Sequence, residues 1–129
     1  MYKLILVLYL IISCNTRNRI DDVSKIEYEK KIIDIGKIEY KSNQRSLFQF
    51  KNNRSKPLKI EAVRLSCSCI SAEWPKNEIF PNEVGIIEVR VDTGHLGFFR
   101  EKLIVYYTEE KIMSDTLFIS GNLVYHGNN

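Results

Sequence analysis

Apolar and charged side chains alternate along one stretch of the chain, Leu58-Lys59-Ile60-Glu61-Ala62-Val63-Arg64-Leu65. Successive side chains of a β-strand point to opposite faces, so this alternation suits a strand with one face in a core and the other in water. The stretch therefore predicts a half-buried strand and makes β-sheet the expected basis of the fold.

The same period of two recurs on both sides of this stretch. The first such run starts at Ile32, and others lie at residues 46–51, 84–91, 102–107 and 116–121. Turn-forming residues separate several of them, at 52–57, 81–83 and 92–97. Short strands at intervals of about ten residues are typical of β-sandwiches. We therefore expect an all-β, antiparallel sandwich with no helix of ordinary length in the domain.

Composition limits the classes of protein to which the chain can belong. Its 129 residues have room for one domain, and 44% of them are hydrophobic, enough for a buried core. The net charge is +3, and basic and acidic residues alternate rather than cluster. No stretch interleaves basic and aromatic residues as a nucleic-acid-binding surface would, so we expect no nucleic-acid partner.

The N-terminus differs in kind from the rest of the chain. Lys3 precedes nine apolar residues, 4–12, which at about 1.5 Å per residue cover only half of a hydrocarbon core of roughly 30 Å. The run has the length of a signal-peptide core. It ends at Ile11-Ile12-Ser13-Cys14, which resembles the bacterial lipobox, whose cysteine thiol takes a diacylglycerol.

We therefore expect residues 1–13 to be a signal peptide and Cys14 to be the lipid-bearing first residue of the mature protein. The polar residues that follow suit a flexible spacer, which we place at 14–31. The alternatives are a signal peptide without lipid and a buried hydrophobic strand. The chain has three cysteines, and acylation of Cys14 leaves Cys67 and Cys69 as an even pair.

Several segments of the mature chain together resemble one bacterial family. They are Ile33-Asp34-Ile35-Gly36-Lys37-Ile38, Phe48-Gln49-Phe50-Lys51-Asn52, Lys56-Pro57-Leu58-Lys59-Ile60, Leu65-Ser66-Cys67-Ser68-Cys69-Ile70, Trp74-Pro75, Pro81-Asn82-Glu83-Val84-Gly85, Gly97-Phe98-Phe99 and Leu117-Phe118-Ile119-Ser120-Gly121. With these segments the chain resembles the DUF1573 family of exported proteins, common in Bacteroidetes and often lipoproteins. The resemblance implies an immunoglobulin-like sandwich of about seven strands, similar to domains of the ASPM and Hydin type. We place it at residues 32–125, followed by a tail at 126–129.

Cys67 and Cys69 are the residues that could carry chemistry. In an extended strand their Cα atoms would lie about 6.5 Å apart, at the upper edge of disulfide geometry. Three interpretations stay open: a structural pair, as an inert disulfide or free thiols; a soft-metal site, above all for Cu(I); or a redox pair. A third metal ligand would have to come from His95, Met113 or His126, and nothing in the sequence brings any of them near. The family pattern has glycine where Ser68 separates the cysteines here.

The sequence contains no glycine-rich phosphate loop, paired-carboxylate site or nucleophile elbow, so we expect neither an enzyme nor a cofactor. We expect a lipoprotein that is anchored to a membrane through the lipid on Cys14. Its immunoglobulin-like domain would bind or organise a protein partner at the bacterial cell envelope. The alternative is a copper-binding or thiol redox protein that uses Cys67 and Cys69.

Overall fold

The computed structural model describes residues 26–92 and 94–125, which form a sandwich of two four-stranded sheets. The strands are β1 (Glu27–Tyr28), β2 (Ile32–Glu39), β3 (Gln44–Lys51), β4 (Lys59–Leu65), β5 (Ile70–Glu73), β6 (Val84–Val91), β7 (Gly97–Thr108) and β8 (Ile112–Val124). Sheet A has the order β1-β3-β6-β5, and sheet B has the order β2-β8-β7-β4. The predicted all-β sandwich is confirmed. About seven strands were expected, and residues 26–92 and 94–125 contain eight; the additional one is β1, which has two residues.

Three predicted features lie outside the described residues: the signal peptide at 1–13, the lipidated Cys14 and the tail at 126–129. Within residues 26–92 and 94–125, no helix is long and apolar enough to cross a membrane.

The core lies between the sheets and consists of the inward-facing side chains of each strand. On β3, the predicted pair Phe48 and Phe50 is 0% and 1% exposed. On β6, Ile87, Val89 and Val91 are buried on one face, as their alternation predicts. Because burial of a large apolar side chain contributes about 1.5–3 kcal/mol, these alternating positions supply much of the stability of the sandwich.

The alternation along β4 changes phase at a β-bulge. β4 pairs antiparallel with β7, and the register shifts between Ile60 and Ala62. A bulge adds one residue to one strand, so the residues that face the core are even-numbered as far as Ile60 and odd-numbered from Val63. The adjacent apolar residues Ala62 and Val63 mark this change in the sequence.

The sandwich begins inside the segment that we expected to be a spacer. Ile26 is buried, and β1 pairs Glu27 with Lys51 and Tyr28 with Phe50. The ring centroids of Tyr28 and Phe50 lie 5.7 Å apart. Residues 26–31 therefore belong to the domain, and the expected boundary at residue 31 lies too far along the chain. Two alternating positions are too few to show a strand in the sequence.

One strand pair departs from the expected antiparallel arrangement. β2 pairs in parallel with β8, whereas the remaining pairs among the described strands are antiparallel. The reason is that the chain leaves sheet A after β1 and enters sheet B as β2. It therefore runs beside the last strand of the sandwich rather than turning back on its predecessor in a hairpin.

Candidate functional site

The cysteine pair lies in the short connection between β4 and β5, at one end of the sandwich. Cys67 and Cys69 are joined by a disulfide, with their Cα atoms 5.3 Å apart. This distance is shorter than the 6.5 Å of an extended strand because Ser68 and Cys69 form a turn. The Cys69 N–H donates to Cys67 Sγ at 3.0 Å, and the Asp92 N–H donates to the Cys69 carbonyl at 2.7 Å. The second of these bonds ties the connection to the residue that follows β6.

Glu101 is the acidic neighbour of the disulfide. One of its carboxylate oxygens and both sulfur atoms lie within 4.8 Å of one another, and all three residues are half-buried. The Ser66 hydroxyl donates to this carboxylate, and the same hydroxyl accepts the Lys102 N–H at 2.9 Å. Sequence reasoning missed Glu101 because it lies more than thirty residues from the cysteines and only strand pairing brings it near.

The ligands considered from the sequence have different positions. His95 and Cys69 line the same small cavity of about 110 Å³ at this end of the sandwich. Met113 pairs with Tyr107 at the opposite end of β7, about 20 Å along the strand from Glu101 at roughly 3.4 Å per residue. His126 lies outside the described residues. Of the two that the structure describes, His95 lies near the pair and Met113 does not.

A second candidate site is the edge of β3, which β1 covers only in part. The Asn52 N–H donates to the Glu83 carbonyl, so the even-numbered residues of β3 bond to β6. The odd-numbered residues face the other way, and the Gln49 carbonyl accepts the Glu29 N–H there at 2.9 Å. Beyond this bond the chain leaves sheet A. The N–H and C=O groups of Arg45 and Leu47 therefore point to a position with no described strand. We call residues 45–47 the open edge.

A clamp on the crossover at residues 29–31 keeps the open edge uncovered. The Lys31 ammonium group donates to the Asp115 carboxylate at 3.2 Å, and the Asp115 side chain is 2% exposed. The Lys31 carbonyl accepts the Phe118 N–H at 2.8 Å. These contacts hold the chain on sheet B, so it cannot continue along β3.

Two tyrosines, the half-buried Tyr28 and the buried Tyr107, lie close to this clamp. Burial, together with the nearby Asp115 carboxylate, raises the pKa of Tyr107 to about 12. The same two causes, in the same order, raise the pKa of Tyr28. The Lys31 ammonium group lies 5.3 Å from the centroid of the Tyr28 ring. A lysine, an aspartate and two neutral tyrosines thus connect β1 and the crossover to β7 and β8.

A groove of about 240 Å³ runs between the open edge and the crossover. Its lining combines apolar, polar and charged side chains: Glu29, Lys30, Ile32, Ile33, Asp34, Leu47 and Gln49. Leu47 and Ile32 are 53% and 60% exposed, so two large apolar side chains face water here. An extended segment in this groove could satisfy the unpaired backbone groups and cover both side chains.

The sandwich is shared with solved structures at low sequence identity. The ASH/PapD-like domain 7 of human CEP192 has a TM-score of 0.71 at 11% identity, covering 90% of this chain and 97% of that one. The YadV chaperone has a TM-score of 0.61 at 10% identity, covering 81% and 54%. The Vibrio cholerae VesB protease has a TM-score of 0.66 at 15% identity, covering 77% of this chain and 32% of that one. This chain thus spans about a third of the protease. At such identities the likeness shows the fold alone.

No curated protein is a close sequence match for this chain. The family model DUF1573, a protein of unknown function, matches residues 26–123. The match begins at Ile26, the first described residue and a buried one, and covers nearly all of the sandwich. The resemblance seen in the sequence is confirmed, and the chain belongs to the DUF1573 family.

Proposed function

We propose that this protein is a lipoprotein of the bacterial cell envelope whose sandwich binds an extended segment of a partner protein, without enzymatic activity. The observation that carries the proposal is the open edge, where the backbone groups of Arg45 and Leu47 lack a neighbouring strand. An added strand supplies main-chain hydrogen bonds, and side-chain pockets beside it supply specificity. The groove beside Leu47 offers such a pocket.

The remaining sheet edges are less suited to strand addition. β1 and β5 have two and four residues. β2 contains a register shift between Asp34 and Lys37, with Gly36 at a φ of 68°, and β4 contains the bulge after Ile60. Short or bulged edges resist pairing with another chain. The open edge of β3 is regular, because its register with β6 is unbroken.

Proline at position 47 tests this edge directly. The Leu47 N–H points away from β6, so Leu47→Pro removes one edge donor and leaves the ladder with β6 intact. Leu47→Thr is the matched control, since it changes the side chain and keeps the N–H. A photo-crosslinking residue at position 49, in cells that make the full chain, reports the occupant of the groove.

We expect one protein adduct with the original chain, a comparable adduct with Leu47→Thr and a loss of at least tenfold with Leu47→Pro. Thermal unfolding of all three proteins checks that the fold is retained. The proposal is wrong if position 49 gives no protein adduct, or if Leu47→Pro and Leu47→Thr give equal yields in folded protein.

A second candidate function uses the cysteine pair, and the position of Glu101 favours it. Reduction of the disulfide by an external dithiol takes two electrons and two protons, yields two thiols and leaves the dithiol oxidised. The Glu101 carboxylate lies where it could accept a thiol proton. The two thiolates would bind Cu(I), a soft cation, whereas a carboxylate oxygen is a hard ligand and would add little to its binding.

Intact mass and metal analysis of the mature chain separate these possibilities. A redox function predicts a gain of about two mass units under mild dithiol reduction, slowed by Glu101→Gln. A copper function predicts one Cu(I) per reduced chain, abolished by Cys67→Ser and retained in Glu101→Gln. A disulfide that resists mild reductant, with no copper bound after full reduction, would exclude both.

A further inference from the structure

The outer surface of sheet B brings Arg64 beside two cations, Arg100 and Lys102, that lie more than thirty residues later in the sequence. Arg64 on β4 pairs with Ile104 on β7, and Lys102 and Arg100 follow on the same face of β7 at intervals of about 7 Å. Phe118 on β8 pairs with Lys102. We call one set of side chains on this surface the basic face: Arg64, Arg100, Lys102, Tyr106 and Phe118. All three cations are exposed.

The two arginines each lie over an aromatic ring. The Arg64 guanidinium carbon lies 5.3 Å from the centroid of Tyr106, and that of Arg100 lies 5.2 Å from the centroid of Phe118. The cation–π contacts restrain the guanidinium groups, and both arginines are exposed. Among residues 26–92 and 94–125, none of the three cations has a salt-bridge partner.

The carboxylates of this surface, Asp34 and Glu39 on β2 and Glu61 on β4, lie on its two edge strands. Asp34 on β2 accepts the N–H of Gly36 at 2.9 Å. Glu61 on β4 accepts the hydroxyl of Thr108 at 2.7 Å. Positive charge therefore dominates the centre of sheet B, which makes the basic face complementary to an anionic surface.

An exposed apolar side chain flanks the basic face. Phe98 precedes Arg100 by two residues on β7, shares its face and is 74% exposed. Cations beside exposed apolar groups suit the headgroup region of a bilayer, where cations meet lipid phosphates and apolar groups enter the acyl boundary.

We propose that the basic face docks on the anionic lipid headgroups of the membrane that carries the protein. This inference rests on the proposed tether at Cys14, which makes a bilayer the nearest anionic surface. Ile26 lies twelve positions after Cys14, and this length of chain can span at most about 40 Å. Docking would lay sheet B against the membrane and turn sheet A, with the open edge on β3, toward a partner.

Vesicle binding of the mature chain with Cys14→Ala tests the face without its tether. Each cation near an anionic membrane contributes about 1 kcal/mol, which is about a fivefold change in binding. We expect at least fiftyfold tighter binding to phosphatidylcholine vesicles that contain phosphatidylglycerol than to pure phosphatidylcholine vesicles at low ionic strength. The difference should shrink as salt is added, because the interaction is screened.

A charge-matched pair of variants shows whether the face or the net charge is responsible. The triple variant Arg64→Gln, Arg100→Gln, Lys102→Gln should lose most of the preference for anionic vesicles. The control Lys30→Gln, Lys51→Gln, Lys76→Gln removes three exposed cations elsewhere and should retain it. Equal losses in the two variants would overturn the proposal, as would the absence of any preference in the starting chain.

Competition identifies the anion. Tighter binding of polyglutamate or duplex DNA than of anionic vesicles would assign the basic face to an acidic protein or a nucleic acid and overturn the membrane assignment. The outcome is independent of lipidation: failure of the tether would appear as absence of acyl groups on Cys14, while failure of docking would appear in vesicles that never involve Cys14.

Discussion

Asn52 connects the loops beside β3 through three side-chain hydrogen bonds. It is 0% exposed, and its side-chain amide donates to the carbonyls of Lys56 and Ile79 at 3.0 and 2.8 Å. Its side-chain oxygen accepts the N–H of Arg54 at 3.0 Å. The sequence indicated only a turn at this position. The distant carbonyl of Ile79 became a partner only once the sandwich closed.

Asn52→Ala should therefore destabilise the domain strongly. The substitution removes all three of these hydrogen bonds, at about 1 kcal/mol or more each, although the Ile79 carbonyl keeps the N–H of Leu58. We expect a loss of about 3 kcal/mol in the free energy of unfolding, measured by urea denaturation. Asn53→Ala is the control: Asn53 is exposed, its contact with Glu27 lies at the surface, and it should change stability by less than about 1 kcal/mol. Similar losses in both variants would contradict the assigned role of Asn52.

Tyr107 should make the stability of the domain depend on alkaline pH. Burial and Asp115 raise its pKa from 10.0 to about 12, so the unfolded chain loses this proton at lower pH than the folded chain does. Stability is therefore complete below about pH 10 and falls as the pH rises toward about 12. Tyr107→Phe should have a shallower slope between these values in chemical denaturation, whereas Tyr125→Phe, which alters an exposed ring, should leave the slope unchanged. Equal slopes for Tyr107→Phe and the original chain would count against this assignment.

Among the strands, β1 has only two residues, yet it contributes to the core and determines how much of the β3 edge is covered. It buries Ile26, places Tyr28 against Phe50 and determines where the edge of β3 becomes open. Its shortness leaves the groove accessible. A longer β1 would pair with Arg45 and Leu47 and remove the proposed binding edge.

A comparison of two truncated chains measures this contribution. A chain that spans residues 32–125 lacks Ile26, Tyr28 and the Lys31–Asp115 ion pair. It should be less stable than a chain spanning 26–125 by at least about 3 kcal/mol, since burial of one large apolar side chain contributes about 1.5–3 kcal/mol. The unfolding midpoint in urea is the measurement. Equal midpoints would indicate that residues 26–31 belong to the spacer and not to the domain.

The strands with regular alternation could be predicted from the sequence, and the features that depend on pairing between distant strands could not. The alternation around Phe48 and Val89 indicates which faces are buried, because burial acts on each strand separately. The bulge in β4 and the approach of Glu101 to Cys67 depend on which strand lies beside which. The same is true of Arg64 and Lys102, whose proximity exists only across the β4–β7 ladder. Within the sequence each is one more charged residue in an alternating run.

At the scale of the whole molecule, attachment to the membrane is the prediction on which the proposed function depends. Cys14→Ala removes the only residue proposed to carry acyl chains, and each buried methylene of those chains contributes about 0.8 kcal/mol to membrane binding. We expect loss of labelled palmitate and a shift of the protein from the membrane pellet to the soluble fraction. Cys67→Ser, a cysteine substitution within the sandwich, should leave both readouts unchanged. If Cys14→Ala protein still partitions wholly with membranes, the anchor lies elsewhere.

The parallel pairing of β2 with β8 has a consequence for the order in which the domain forms. The ion pair between Lys31, directly before β2, and Asp115, on β8, joins residues that are 84 positions apart in the chain. A ribosome supplies β2 long before its neighbour exists, so one of the first strands made must wait for the last. Such non-local pairing slows folding, because much of the loop-closure entropy is lost before the contacts that repay it can form. In an unfinished chain the backbone groups of β2 are therefore unpaired and accessible to a strand of another chain. This exposure ends when residues 112–124 have been made and β8 pairs with β2.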